Sequence, residues 1–177
     1  MSSGAPAPRV LVVGLGNRFR GDDAAGLDVV IGLEEMAGVV CREHSGETLD
    51  LLNLWTGAEA VILVDAVDGP RDSGVSPEPG TLHRFEVDRE PLPVDGDPAS
   101  THLFGLRETV ELARTLGVLP PRLVLLGVTG ARFSMGDSLS PEVETAIPRL
   151  RDLVRREIEE ALGCTHADVE EACTRRK

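Results

Sequence analysis

Three apolar runs, broken by a charge only at Asp65, constrain this chain more than any other feature: Val10–Leu15 (VLVVGL), Ala60–Val67 (AVILVDAV) and residues 123–128 (LVLLGV). A strand with one wet face alternates apolar and polar residues, because successive side chains point to opposite sides. A run without alternation is buried on both faces, which is the condition of a parallel sheet covered by helices. Aromatic residues make up only 3% of the chain, with no Tyr and one Trp, so Val, Leu, Ile and Ala must fill that core.

The intervening segments supply the helices. Residues 22–36 carry Ala25, Leu27, Val30, Ile31, Leu33 and Met36 at roughly helical spacing, and Thr48–Trp55 places Leu49, Leu52 and Trp55 on one face. Residues 103–116 form a further helix stopped by Gly117, and Ser140-Pro141 open the last one as N-cap and first helical residue. Pro148 is placed to kink that helix or reset its start. Residues 39–42 read as a short strand. Residues 81–87 alternate, as expected of a half-exposed antiparallel edge strand, and residues 68–80, 88–101 and 129–139 read as loops. This order predicts an α/β three-layer sandwich: a mainly parallel twisted sheet with helices on both faces. A single domain is expected over residues 1–177, with a core at 9–162 and a loose tail at 163–177.

A net charge of -12, from 18 basic and 30 acidic residues, repels phosphate backbones and anionic lipid surfaces. Neither nucleic acid nor membrane is therefore an expected partner. No apolar run is long enough to span a bilayer, and the N-terminal MSSGAPAP lacks the basic and apolar regions of a signal peptide, so a cytoplasmic location is expected. Cys41, Cys164 and Cys173 form no even framework and read as free thiols.

Ligand sites in open α/β sheets lie outside the carboxyl ends of the strands. Three loops there carry polar chemistry: residues 14–26 (GLGNRFRGDDAAG), 64–69 (VDAVDG) and 100–106 (STHLFGL). The glycines do not make a dinucleotide site. Position 19 is Phe where GxGxxG requires Gly, and Asp22-Asp23 would repel a pyrophosphate. Each of those aspartates has an ordinary explanation as an acidic residue at a helix N-terminus. Asp65 lies in an otherwise apolar strand, where it must be paired, hydrogen-bonded or at the open end, so structural and functional roles both stand. His102, alone, reads as a residue near a helix start. Beside carboxylates it would complete a mixed oxygen–nitrogen set with open coordination positions, suited to divalent zinc, nickel, iron or manganese.

The GLGN turn followed by GDDAAG, the strand-borne VDAVD, the STHLFGL segment and the late GDSLSPEV together resemble the hydrogenase maturation proteases over most of residues 9–162. These endopeptidases trim the C-terminal extension from the nickel–iron hydrogenase large subunit. The resemblance implies a phosphorylase/hydrolase-like sandwich and metal-contacting, catalytic roles for Asp23, Asp65 and His102. It implies nickel as the metal, already seated in the large-subunit precursor, and cleavage only after its insertion. After the third apolar run, members of that family often carry Glu-Pro in a sequence like GIEP, whereas this chain has Gly127-Val128-Thr129-Gly130.

The expected chemistry is hydrolysis in which a divalent metal polarises the scissile carbonyl or activates water, or a carboxylate acts as general base in the manner of an aspartic-type endopeptidase. No Ser or Cys in these loops has a base and an orienting acid beside it. A non-catalytic metal-sensing chaperone that binds the same precursor is the alternative. Another hydrolase or phosphorylase on a similar fold ranks below both, for want of anion-binding groups beside Asp22 and Asp23. A monomer or weak homo-oligomer is expected.

Overall fold

The computed structural model describes residues 9–67, 77–90 and 101–163, except for the side chains of 101–104. Its elements follow the predicted order: β1 (Val10–Leu15), a 3-10 turn (Gly21–Ala24), α1 (Ala25–Ile31), β2 (Val39–His44), α2 (Thr48–Trp55), β3 (Ala60–Val67), β4 (Leu82–Glu86), α3 (Thr101–Leu116), β5 (Arg122–Thr129) and α4 (Pro141–Leu162). The five strands form one sheet in the order β2-β1-β3-β5-β4. Only β4 is antiparallel, paired with β5.

Both sheet faces are covered, which explains the apolar runs. Val10 and Val12 of β1, Ile62, Val64 and Ala66 of β3, and Val124, Leu126 and Val128 of β5 pack against α1 and α4. The alternate residues Leu11, Val13, Leu15, Val61, Leu63, Leu123 and Leu125 pack against α2 and α3, around Trp55, Leu106 and Val110.

Relative to the predicted bounds, α3 starts two residues earlier at Thr101, β5 gains one residue at each end and β4 loses one at each end; α1 and β2 depart further. The helix expected over 22–36 ends at Ile31, where Gly32 caps it, yet Leu33 and Met36 still pack on the α1/α4 side of the core. Helical spacing persisted past the helix because those residues serve the same face. Strand β2 runs on to His44 because it stays in register with β1 as far as Leu15. Helix α4 continues through Pro148 and stops at Gly163, which adopts φ 68. The expected tail beyond Gly163 lies outside the described residues, as do Cys164 and Cys173. No helix among the described residues is long and apolar enough to cross a membrane.

The connection leaving β1 leads to β2 on one side, while β3 lies on the other. Their carboxyl ends therefore flank a topological switch point, the place where such sheets open a crevice.

Candidate functional site

Glycines set the turn that carries Asp22 and the candidate Asp23 against the end of β1. Helix α1 crosses the sheet backbone to backbone at Gly26, where any side chain would overlap the carbonyl oxygens of Val64 and Leu15. Gly16 turns the chain out of β1 at φ 134, and a Cβ there would overlap the Asp23 carbonyl. The close approach folds the 3-10 turn over the end of β1, so that Asp22 and Asp23 are buried although they follow a loop.

The two acidic neighbours then take different paths. The Asp22 carboxylate accepts the amides of Ala131 (2.7 Å) and Arg132 (2.9 Å), the Ser140 amide (2.6 Å) and the Ser140 hydroxyl (2.9 Å). Its own amide donates to the Arg132 carbonyl. Asp22 is thus a staple between the turn after β1 and the loop after β5, a role stronger than the helix-end one expected of it. Ser140 stands at the N-cap of α4, but its hydroxyl serves Asp22 instead of the helix. Asp23, held by this anchored turn, accepts the Asn17 amide at 3.1 Å and lies 3.9 Å from the Arg20 guanidinium.

Asp65 is fully buried on the α2/α3 side of β3, one register step beyond the Gly14–Val64 pair, with no hydrogen-bond partner on either carboxylate oxygen. Burial pushes its carboxyl well above the usual carboxylate range, and the nearby Asp23 charge adds to the push. The Ala66 amide acts in the opposite direction and does not outweigh them, without reaching hydrogen-bonding geometry. A buried carboxylate without partners is costly and rare in a structural role. It faces a cavity of about 60 Å³ lined by Leu15, Ser45, Gly46, Leu51, Asp65, Gly105 and Leu106. Gly105 and Leu106 belong to the start of α3, whose first turn carries His102. The His102 side chain lies outside the described side chains. Among the described residues no three metal-binding side chains converge. The described part of the expected set is Asp23 and Asp65, the charge of the first acting on the second. An orphaned, buried carboxylate facing a small cavity fits a cation, which would remove the electrostatic cost.

The divergent loop after β5 has a structural use. Thr129 is buried, and its hydroxyl lies 2.7 Å from His83 Nε2. Its amide donates to the Thr81 carbonyl and its carbonyl accepts the Gly80 amide, so this residue ties β5 to the edge strand β4. His83, stacked on Phe85, has no place in the cavity, and burial draws its pKa below the ordinary value. The Asp22 staple was not legible from local sequence, because it depends on which loops return to the same rim; of the cavity walls, Leu15, Asp65, Gly105 and Leu106 come from the three segments singled out in the sequence, whereas Ser45, Gly46 and Leu51 do not.

Comparison with known proteins places the chain in a family. A model of the hydrogenase maturation proteases (HycI) matches residues 46–157, a span that includes Asp65 and His102. The hydrogenase expression/formation protein HupD of Thiocapsa roseopersicina is 29% identical over 145 residues, 79% of this chain and 63% of that protein. HupD of Rhodobacter capsulatus is 32% identical over 140 residues, 76% of this chain and 64% of that protein. The chain thus spans just under two thirds of the length of these two relatives. In three dimensions it is similar to the hydrogenase maturating endopeptidase HybD of E. coli, with a TM-score of 0.74 at 25% identity, over 86% of this chain and 93% of that one. With a family match over more than half its length, on a fold shared with a solved family member, the chain belongs to the hydrogenase maturation protease family.

Proposed function

We propose that this protein is an endopeptidase that removes the C-terminal extension of a nickel–iron hydrogenase large-subunit precursor. In this reading Asp23, Asp65 and His102 contact the nickel already seated in the precursor. Another divalent ion could occupy the same oxygen–nitrogen set. The observation that carries the proposal is Asp65: both oxygens are buried and unpartnered, and they face a cavity walled in part by the helix that bears His102.

The substrate's metal supplies a Lewis acid beside the scissile carbonyl. The chain's own residues do the rest. Asp23, fixed by the Asn17 amide and by the anchored 3-10 turn, places a second carboxylate close enough to act on Asp65. Asp65 ionises reluctantly in its dry surroundings, so it gains most from a cation carried in by the substrate. An empty precursor offers no such gain, which makes the site selective for metal-loaded substrate as well as reactive toward it. Hydrolysis needs a proton acceptor for the attacking water, and the two carboxylates are the bases that the described site offers. Cys41, a half-buried thiol, suits a reducing compartment, and we place the reaction in the cytoplasm.

The test is mass spectrometry of a nickel-loaded precursor before and after incubation with the pure protein. Loss of a C-terminal segment is expected with the wild type, and no loss with Asp23→Ala, Asp65→Ala or His102→Ala. A precursor that is bound but never shortened would replace the protease with a chaperone, and full processing by any two of the variants would remove the proposed site.

A further inference from the structure

Beside the crevice, two large apolar side chains stand out in solvent: Phe19 and Met135, each 70% exposed. They sit on different loops, after β1 and after β5, that are laced into one platform. The Gly136 amide donates to the Phe19 carbonyl at 2.8 Å, and the Gly21 amide to the Asp137 carbonyl at 3.2 Å. Arg20 Nε donates to the Phe133 carbonyl, and the Asp22 staple binds the amides of Ala131 and Arg132. The platform is also joined to the site. The Phe19 amide donates to Asn17 Oδ1, and the Asn17 amide donates to the Asp23 carboxylate.

Exposed apolar groups on a mobile loop would be ordinary. Here the backbone beneath them is already ordered, so covering them on binding costs little further entropy, the condition under which aromatic and Met side chains become binding anchors. Local charge does not oppose this. Basic side chains flank the patch, Arg18 paired with Glu43 at 2.6 Å and Arg20 lying 3.9 Å from Asp23.

We infer that the Phe19–Met135 platform is the docking surface for the folded body of the precursor, gripping an apolar patch next to the point where its extension leaves. This rests on the proposed protease function, since continuity with Asp23 selects the precursor as the occupant. The site would then read the extension and its metal, while the platform reads the folded protein that carries them.

The experiment compares wild type, a Phe19→Ser/Met135→Ser double variant and Leu116→Ser. Leu116 is 60% exposed at the far end of α3 and controls for the loss of an exposed apolar group. Affinity for immobilised nickel-loaded precursor is measured by interferometry, cleavage of the same precursor by mass spectrometry, and folding by thermal unfolding. The double variant should keep the wild-type unfolding midpoint and bind at least about tenfold more weakly, as expected for losing two anchors. Leu116→Ser should bind as wild type does. Equal binding by the double variant and wild type overturns the docking surface while leaving the protease reading intact. Binding without cleavage by wild type overturns the protease reading while the platform is still judged on affinity. No wild-type binding overturns both. If the wild type is a dimer by light scattering and the double variant a monomer, the occupant is a second copy and the inference is wrong.

Discussion

The carboxylate of Asp22 accepts both the amide and the hydroxyl of Ser140, 118 residues further along the chain, at 2.6 and 2.9 Å. With the Ala131 and Arg132 amides on the same carboxylate, this single side chain closes the turn after β1 onto the loop after β5. Asp23, the next residue, takes its position from that closure.

Removing the staple should therefore harm stability and site together. Asp22→Ala leaves buried donors unmet, a loss of about 3 kcal/mol for hydrogen bonds to a charged group. At roughly 2–4 °C per kcal/mol for a domain of this size, the unfolding midpoint should fall on the order of 10 °C. Precursor processing should fall with it, even well below that midpoint. A shift of less than about 2 °C in a thermal melt would show that the network carries little.

Asp65 should behave in the opposite way. Its folded-state pKa lies above the unfolded value, chiefly through burial and secondly through the Asp23 charge, so the folded state holds the proton more tightly. Its favourable contribution is complete below the unfolded pKa and is lost as pH rises through the folded one. Asp65→Asn removes that loss. In metal-free protein the variant should melt higher than wild type at pH 8 by at least about 2 °C, with a smaller gap at pH 5, while being unable to process precursor. Melting curves at the two pH values check this, and a variant that melts lower at pH 8 would mean that Asp65 is a structural group.

Glu157 supplies a third prediction, at the other end of the sheet. It is buried between Arg84 (2.6 Å) and Arg122 (2.7 Å), across the join of α4 with β4 and β5. Burial alone would raise its pKa, but the hydrogen bonds from Arg84 and Arg122 outweigh that and hold it below the ordinary value of 4.5. A depressed carboxyl pKa stabilises the fold above the unfolded value, and the effect is lost as pH falls through the folded one. Glu157→Gln should cost roughly 1 kcal/mol at pH 7, a modest figure because both arginines are partly solvated. The gap should close as pH drops below 4.5. A gap that stays constant in melts from pH 7 to pH 3.5 would contradict the pairing.

These residues also mark where sequence reading succeeds and stops. The runs that became β1, β3 and β5 were legible because burial on both faces leaves a strand no polar positions. The start of α4 at Pro141 was legible because the proline φ restriction acts locally. Glu157 looks like any other charge in RREIEEAL, since nothing in that segment shows that Arg84 and Arg122 meet it across the sheet. Asp22 and Asp23 are adjacent and chemically identical, yet one is a staple to the loop after β5 and the other bonds the Asn17 amide beside Arg20. What separates them is the returning loop at residues 131–140, which only the tertiary structure provides. Asp65 was the exception: a lone charge in an apolar strand announces an unusual environment from sequence alone.

The central claim is that Asp23, Asp65 and His102 gather around one cation at the carboxyl ends of β1 and β3. Its most direct test is a crystal of the protein soaked in nickel chloride, with anomalous scattering recorded at the nickel edge. A peak is expected in the cavity beside Asp65, bonded to both carboxylates and to the His102 imidazole. A His102 ring turned away from the cavity, with any nickel bound elsewhere, would contradict it.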